Sequence, residues 1–223
     1  AKNIILSGKI GKLRKVAVEY PQGWLSDFLE ASDNKQAGWR TDPNKSGKAG
    51  SMGDIGTHAA NMVEYVTGKK ILKVLSKVNI VVEGRLLEDD GNVLISLEDN
   101  IEGNLMTSQI ATGEENDLKI RVWGEKGGIE WFHSNPNTML LKLNNKPNQI
   151  LRAGVNNSYL SDQAIAHCRT PSGHPEGFIE AFANIYRNFS YSVYNYNKGI
   201  KDDPIYDFPT VNDGHRGMKF IDA

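Results

Sequence analysis

Residues 118–133 read Leu118-Lys119-Ile120-Arg121-Val122-Trp123-Gly124-Glu125-Lys126-Gly127-Gly128-Ile129-Glu130-Trp131-Phe132-His133. Leu118 to Trp123 and Ile129 to His133 read as strands, and Glu125-Lys126-Gly127-Gly128 between them is a turn signal. Thr138 to Leu143 adds a strand downstream, between the turns Asn135-Pro136-Asn137 and Asn144-Asn145-Lys146-Pro147. Upstream stand Lys73 to Val82, Val93-Leu94-Ile95-Ser96-Leu97 and Asn104 to Ala111, with Asp89-Asp90-Gly91-Asn92 as a further turn. Links this short predict an antiparallel meander. Residues 12–20 alternate apolar with polar and predict one more strand.

Helical patterns flank this block. Ile55, Ala59, Met62, Val63 and Val66 recur at helical spacing, and Gly68 suits the C-cap. Pro175 to Tyr194 carries a second helix with Pro175 at its first position. Its apolar stripe of Phe178, Ile179, Phe182, Ile185, Tyr186, Phe189 and Val193 is expected to pack in the core. A short last helix is expected near Thr210, with Asp213 three residues on as a capping partner. Residues 21–53 carry Pro21, Gly23, Gly38, Pro43, Gly47, Gly50 and Gly53 and read as a long loop, a class that is usually functional. The whole predicts one α+β domain over residues 1–223: an open, mainly antiparallel sheet with helices on one face. The other face must be wet or covered by another chain.

Composition narrows the function. Lys+Arg is 26 and Asp+Glu 27, so nothing favours phosphate neutralisation or a polybasic membrane surface. Cys168 is the only cysteine, so a disulfide scaffold and a zinc ribbon are excluded. His167 stands beside it, but neighbours in sequence do not face each other, and a small packing role is expected for the thiol. No apolar run approaches a membrane span and no leader is evident, so a cytoplasmic location is expected. The chain opens on Ala1-Lys2-Asn3-Ile4-Ile5-Leu6-Ser7-Gly8, which reads as the end of a helix closed by glycine. The expectation is therefore a piece of a longer protein. No two of the 22 glycines stand as Gly-x-Gly, so the dinucleotide fingerprint is absent; P-loop, zinc-protease and nucleophile-elbow motifs are absent too.

Several residues have chemistry to offer. Asp54 and His58 stand four apart at a helix start, which puts a carboxylate and an imidazole on one face. They read as an acid/base pair in which the carboxylate orients the ring. The alternative is that Asp54 is an ordinary N-cap. Trp39 and Arg40 could stack on and clamp a polar ligand such as a sugar, or anchor the loop with Arg40 salt-bridged to Asp42 or another acid. His174, in Ser172-Gly173-His174-Pro175-Glu176, could face a ligand at a helix N-terminus, or it or Ser172 could cap that helix.

Together these segments resemble a known family. Gly50-Ser51-Met52-Gly53-Asp54-Ile55-Gly56-Thr57-His58 resembles the G-x-x-x-D-x-G-x-H segment of the Gfo/Idh/MocA oxidoreductases. Trp39-Arg40-Thr41-Asp42-Pro43, the opening Gly8 to Val16, Ser172 to Phe178, and Phe208-Pro209-Thr210 with Asp213-Gly214 and Arg216-Gly217 are similar to segments of the same family. The resemblance implies a two-domain enzyme of which this chain is the second domain, carrying substrate site and oligomer interface. The first, an NAD- or NADP-binding Rossmann domain with its catalytic lysine, is expected to be missing from this chain. Lys146-Pro147 follows Asn145 in a turn and does not take that role. By the same resemblance Asp54 and His58 are catalytic: His58 takes the hydroxyl proton as hydride leaves the same carbon, and Asp54 tunes His58. Trp39, Arg40 and His174 would line the substrate pocket.

The resulting expectation is the substrate and oligomerisation domain of an NAD(P)-dependent sugar or polyol dehydrogenase, a homodimer or homotetramer through the sheet face. Neither nucleic acid nor membrane is an expected partner. No cofactor or metal is expected on this chain, and the chain alone is expected to be inactive. Two other classes compete: a stand-alone ligand-binding or scaffold domain, and a metal-dependent lyase or hydrolase using Asp54, His58 and His174.

Overall fold

The computed structural model describes all 223 residues. Helix α1 (Lys2–Leu6) leads through Gly8, in the left-handed region at φ 71°, into strand β1 (Leu13–Pro21). Then come α2 (Lys35–Arg40), α3 (Pro43–Ser46) and α4 (Thr57–Thr67), which ends on left-handed Gly68 as its spacing predicts. Strands β2 (Ile71–Asn79), β3 (Asp90–Leu97), β4 (Glu102–Ser108), β5 (Lys119–Gly124), β6 (Gly127–Phe132), β7 (Thr138–Leu143) and β8 (Gln149–Arg152) follow. Helices α5 (Asp162–Ala166), α6 (Phe178–Lys198) and α7 (Val211–Asp222) complete the chain.

One open sheet holds all eight strands in the order β2-β3-β4-β1-β5-β6-β7-β8. It is antiparallel except for β1 beside β4, so the fold is α+β as expected but not a pure meander. β1 enters between β4 and β5, with Val18 opposite Leu105 on one side and Ile120 on the other. A strand made first in the chain can fill the centre only if later strands assemble around it, a long-range choice that local spacing does not encode. Gly103 is required there: a Cβ would meet the Val16 carbonyl oxygen at 2.7 Å.

The core lies on one face of the sheet. Val16, Val18, Val93, Ile95, Leu97, Leu105, Ile120, Val122, Ile129 and Leu141 pack with Ala59, Ala60 and Val63 of α4. Burying such side chains stabilises by about 1.5–3 kcal/mol each. Phe220 and Ile221 of α7 add to that layer. The opposite face has no covering element. There Leu75 opposes Leu94, both exposed, and Glu19 pairs with Lys119 and Arg121.

Other expectations need correction. Residues 21–53 are not a plain loop. Asn34 caps α2 through the Gln36 and Ala37 N–H groups, and Asp42 caps α3 with Pro43 at its first position. β8 follows a turn and is too short to show a period. Helix α6 starts at Phe178, not Pro175; Glu180 accepts the N–H of Gly177, so neither His174 nor Ser172 caps it. The α6 stripe is not core: Phe178 is 69% and Ile179 77% exposed, and the Phe182 ring lies 4.7 Å from that of Phe178 and 6.5 Å from that of Tyr186. What α6 buries is polar. Asn188, fully buried, donates to His167 Nε2 (2.9 Å) and the Asp207 carbonyl (2.8 Å), and accepts from Arg187. Thr210 and Asp213 form the capping box on α7 as spacing predicts. No helix is long and apolar enough to cross a membrane.

Candidate active site

The segment before α4 determines how Asp54 is presented. Met52–Gly56 is a π-helical turn that runs into α4. Single π turns inside helices are rare and recur at functional sites. Ser51, fully buried, donates to Thr107 Oγ1 at 3.2 Å, and Gly50 lets the Glu88 carbonyl come close, where a Cβ would stand 2.2 Å from that oxygen. The Glu88 carboxylate accepts the N–H groups of Gly50 (2.8 Å) and Met52 (2.9 Å). Glu88 therefore neutralises the helix N-terminus. Asp54 is not the N-cap; its own N–H bonds the Gly50 carbonyl within the helix.

Released from capping, the Asp54 side chain faces β4 and α2. Its Oδ2 accepts from Gln109 Nε2 (2.8 Å) and Arg40 Nε (3.1 Å), while Oδ1 has no hydrogen bond within the chain. The salt bridge expected of Arg40 therefore goes to Asp54, not Asp42. Arg40 also donates to the Gln36 side chain, and its guanidinium lies 4.3 Å from the Trp39 ring centroid and 5.8 Å from that of Trp24. Trp39 is 42% exposed, so the stack presents an aromatic edge and a cation to solvent.

His58 is exposed on α4, and neither ring nitrogen has a hydrogen bond within the chain. No hydrogen bond joins it to Asp54, so the direct orientation expected from their spacing is not what the fold provides. The imidazole instead stands edge-on to Tyr20, centroids 6.3 Å apart. Tyr20 donates to Asn116 Oδ1 (2.6 Å), which also accepts from Gln22, and Gln22 accepts from Trp24 Nε1 (3.1 Å). Burial pushes the Tyr20 phenol up; the Asn116 bond opposes this and the nearby Asp54 charge adds to it. Tyr20 is thus a neutral phenol that feels the Asp54 charge, next to an imidazole with both nitrogens open. Such a constellation can take a proton at His58 with a fixed negative charge nearby.

A buried network fixes the wall behind it. Arg85 is 1% exposed in its side chain and donates to Glu30, Asp89, and the Leu25 and Asp27 carbonyls. Asp89 accepts from the N–H groups of Val81 and Val82. The stretch leading to Trp39 and Arg40 is thereby anchored to the β2–β3 connection.

Not every candidate arrives at this place. Trp39, Arg40 and Asp54 come together, with His58 on the same helical segment. His174 lies exposed in the loop before α6 and forms no hydrogen bond with them. No three His, Cys, Asp or Glu side chains gather as a metal donor set, so Asp54, His58 and His174 do not form one. Cys168 donates to the Ala164 carbonyl, and burial pushes its thiol up, which suits packing rather than thiolate chemistry. A groove of about 520 Å³ between α4, β2 and α7 contains none of Trp39, Arg40, Asp54 or His58. Sequence reading missed Gln109, Glu88, Arg85 and Tyr20, which meet the site only through the tertiary fold.

Comparison with known proteins agrees with the segments quoted at the outset. The GFO/IDH/MocA C-terminal domain matches residues 1–130. The uncharacterized oxidoreductase YfiI of Bacillus subtilis is 31% identical over 98% of this chain and 56% of its own length. Among solved structures, an oxidoreductase from Sinorhizobium meliloti is similar at 36% identity and TM-score 0.84, over all of this chain and 56% of that one. An inositol dehydrogenase homolog from Azotobacter vinelandii, solved with NAD+, is similar at 28% identity and TM-score 0.92, over 99% of this chain and 57% of that one. An inositol dehydrogenase homolog from the same organism, solved with NADH and myo-inositol, is similar at 27% identity and TM-score 0.87, over 99% of this chain and 56% of that one. The chain spans little more than half the length of these relatives.

Proposed function

The chain belongs to the Gfo/Idh/MocA family, and from that premise we propose that it is the substrate-binding and oligomerisation domain of an NAD(P)-dependent oxidoreductase acting on a hydroxyl of a sugar or cyclic polyol. The observation that carries this reading is the Asp54 carboxylate, freed from capping by Glu88 and held by Arg40 and Gln109 on the same helical segment as the open imidazole of His58.

In this reading His58 accepts the proton of the substrate hydroxyl. Asp54 supplies a carboxylate on the same helical segment. Trp39 and Arg40 offer a stacking edge and donors to the sugar ring; His174, exposed in the loop before α6, is not part of that cluster. The residues here do not build a dinucleotide cradle: the 22 glycines include no Gly-x-Gly turn. A bound NAD or NADP would accept the hydride, on a Rossmann domain outside these residues; this chain handles the proton. The intact protein is taken to be cytoplasmic and to associate through the open sheet face.

The test is turnover by the intact protein with NAD+ or NADP+ and a panel of sugars and cyclic polyols, myo-inositol included. Asp54→Asn and His58→Ala should each lower kcat/KM by about 10²–10⁴-fold. The 223-residue chain alone should give no turnover; activity from it would refute the reading, as would full activity in either variant.

A further inference from the structure

Gln109 lies just beyond β4 and is 2% exposed. Its main chain is fixed on both sides: its N–H donates to the Asp89 carbonyl (2.8 Å) and its carbonyl accepts the Leu25 N–H (3.0 Å). Asp89 is itself held by Arg85. The Gln109 side chain therefore starts from a rigid base, and its Nε2 reaches Asp54 Oδ2 at 2.8 Å. Arg40 Nε reaches the same oxygen at 3.1 Å. Two donors on one oxygen leave Oδ1 as the face of the carboxylate open to a ligand. They also differ in firmness: Arg40 projects from short α2 beside an exposed Trp39, whereas Gln109 is buried among anchored backbone.

We propose that Gln109 is a positioning residue, which pins the Asp54 carboxylate by Oδ2 so that Oδ1 is presented to substrate. The inference rests on the catalytic reading of Asp54 and His58. An amide suits the task because it donates without adding a second cation, and Arg40 already balances the Asp54 charge.

The test titrates the Asp54 carboxyl carbon by NMR in the intact protein labelled at Asp Cγ, the signal being assigned by its loss in Asp54→Asn. Gln109→Leu removes a donor to the ionised form and should move the Asp54 midpoint up. Gln109→Glu is nearly the same size and sets a second carboxylate against the first. It should move the midpoint further, and the acid limb of kcat/KM for NAD+-linked myo-inositol oxidation with it. A midpoint unchanged in both variants would overturn the positioning role. Should Asp54→Asn oxidise as wild type does, the catalytic reading fails and this inference with it. Loss of activity in Asp54→Asn beside an unmoved midpoint in the Gln109 variants would sink the inference alone.

Discussion

Glu88 accepts the Met52 N–H at 2.9 Å, and that bond decides what Asp54 can do. With a carboxylate from the β2–β3 connection already on the helix entrance, Asp54 is spare, and a spare half-buried carboxylate can be turned toward a ligand. Glu88→Ala should lower stability by about 1 kcal/mol through the lost cap. It should also lower activity in the intact protein, because the π turn that presents Asp54 loses its anchor. Thermal unfolding and steady-state kinetics of the same preparation check both parts. Unchanged melting would mean that water replaces the carboxylate without loss.

Arg85 is the second anchor. It satisfies two carboxylates and two carbonyls from a position that water does not reach. Truncating it leaves Asp89 buried without its cation, a loss of about 3–5 kcal/mol. Arg85→Lys should recover little of this, since an ammonium cannot reproduce the planar fork. Denaturant unfolding of Arg85→Met and Arg85→Lys measures the cost. Early protease cleavage within residues 25–31 should accompany it.

Much of this fold was legible from local spacing, and the reasons for the exceptions are physical. Thr138–Leu143 and the Gly68 end of α4 follow from periods and turn residues alone. The parallel seat of β1 beside β4 does not, because pairing partners are chosen across some ninety residues. Phe178 and Ile179 show the opposite failure: helical apolar spacing predicts that a face wants cover, not what covers it. Of the candidate residues, Asp54, His58, Arg40 and Trp39 lie close in sequence, so local spacing can propose them together. It cannot propose Gln109, since a glutamine at a strand end has no local signature.

Asn188 gives a prediction for the carboxy-terminal third. Its amide fixes His167, Arg187 and the Asp207 carbonyl at once. His167 Nδ1 donates to the Gln163 carbonyl and Nε2 accepts from the Asn188 amide. Asn188→Leu would leave these groups unpaired and should cost about 1–3 kcal/mol. Asn188→Asp should cost no less, because a carboxylate cannot donate to His167 Nε2 and the Asp207 carbonyl together. Equal stability of Asn188→Leu and wild type by denaturant unfolding would contradict the network.

Acid sensitivity follows from Glu64. Burial pushes its carboxyl up, but Arg216, the Ile71 N–H and Lys70 outweigh that and hold it below the ordinary carboxylate range. A carboxyl lowered on folding contributes stability that is present above its unfolded value, about pH 4.3, and is lost as pH falls through the folded one. Arg216→Gln should therefore weaken the protein at neutral pH and make its loss of stability below about pH 4.3 shallower. Denaturant midpoints across pH 3–7 for both proteins decide it: parallel curves would assign the acid loss to other groups.

The open face of the sheet supplies the last test. Leu75 and Leu94 oppose each other across β2 and β3, 70% and 59% exposed, and Trp123 lies under Arg121 on the same face. Apolar strands left bare in this way invite association unless another surface covers them. Ion pairs from Glu19 to Lys119 and Arg121 lie between the apolar positions and would set register in such a contact. Leu75→Lys with Leu94→Glu keeps a favourable cross-strand pair and removes no core contact, so the fold should be nearly unchanged in stability. Light scattering at micromolar concentration should show a dimer or tetramer for the intact protein and a lower mass for the double variant. If wild type is already a monomer at that concentration, this face is not the interface.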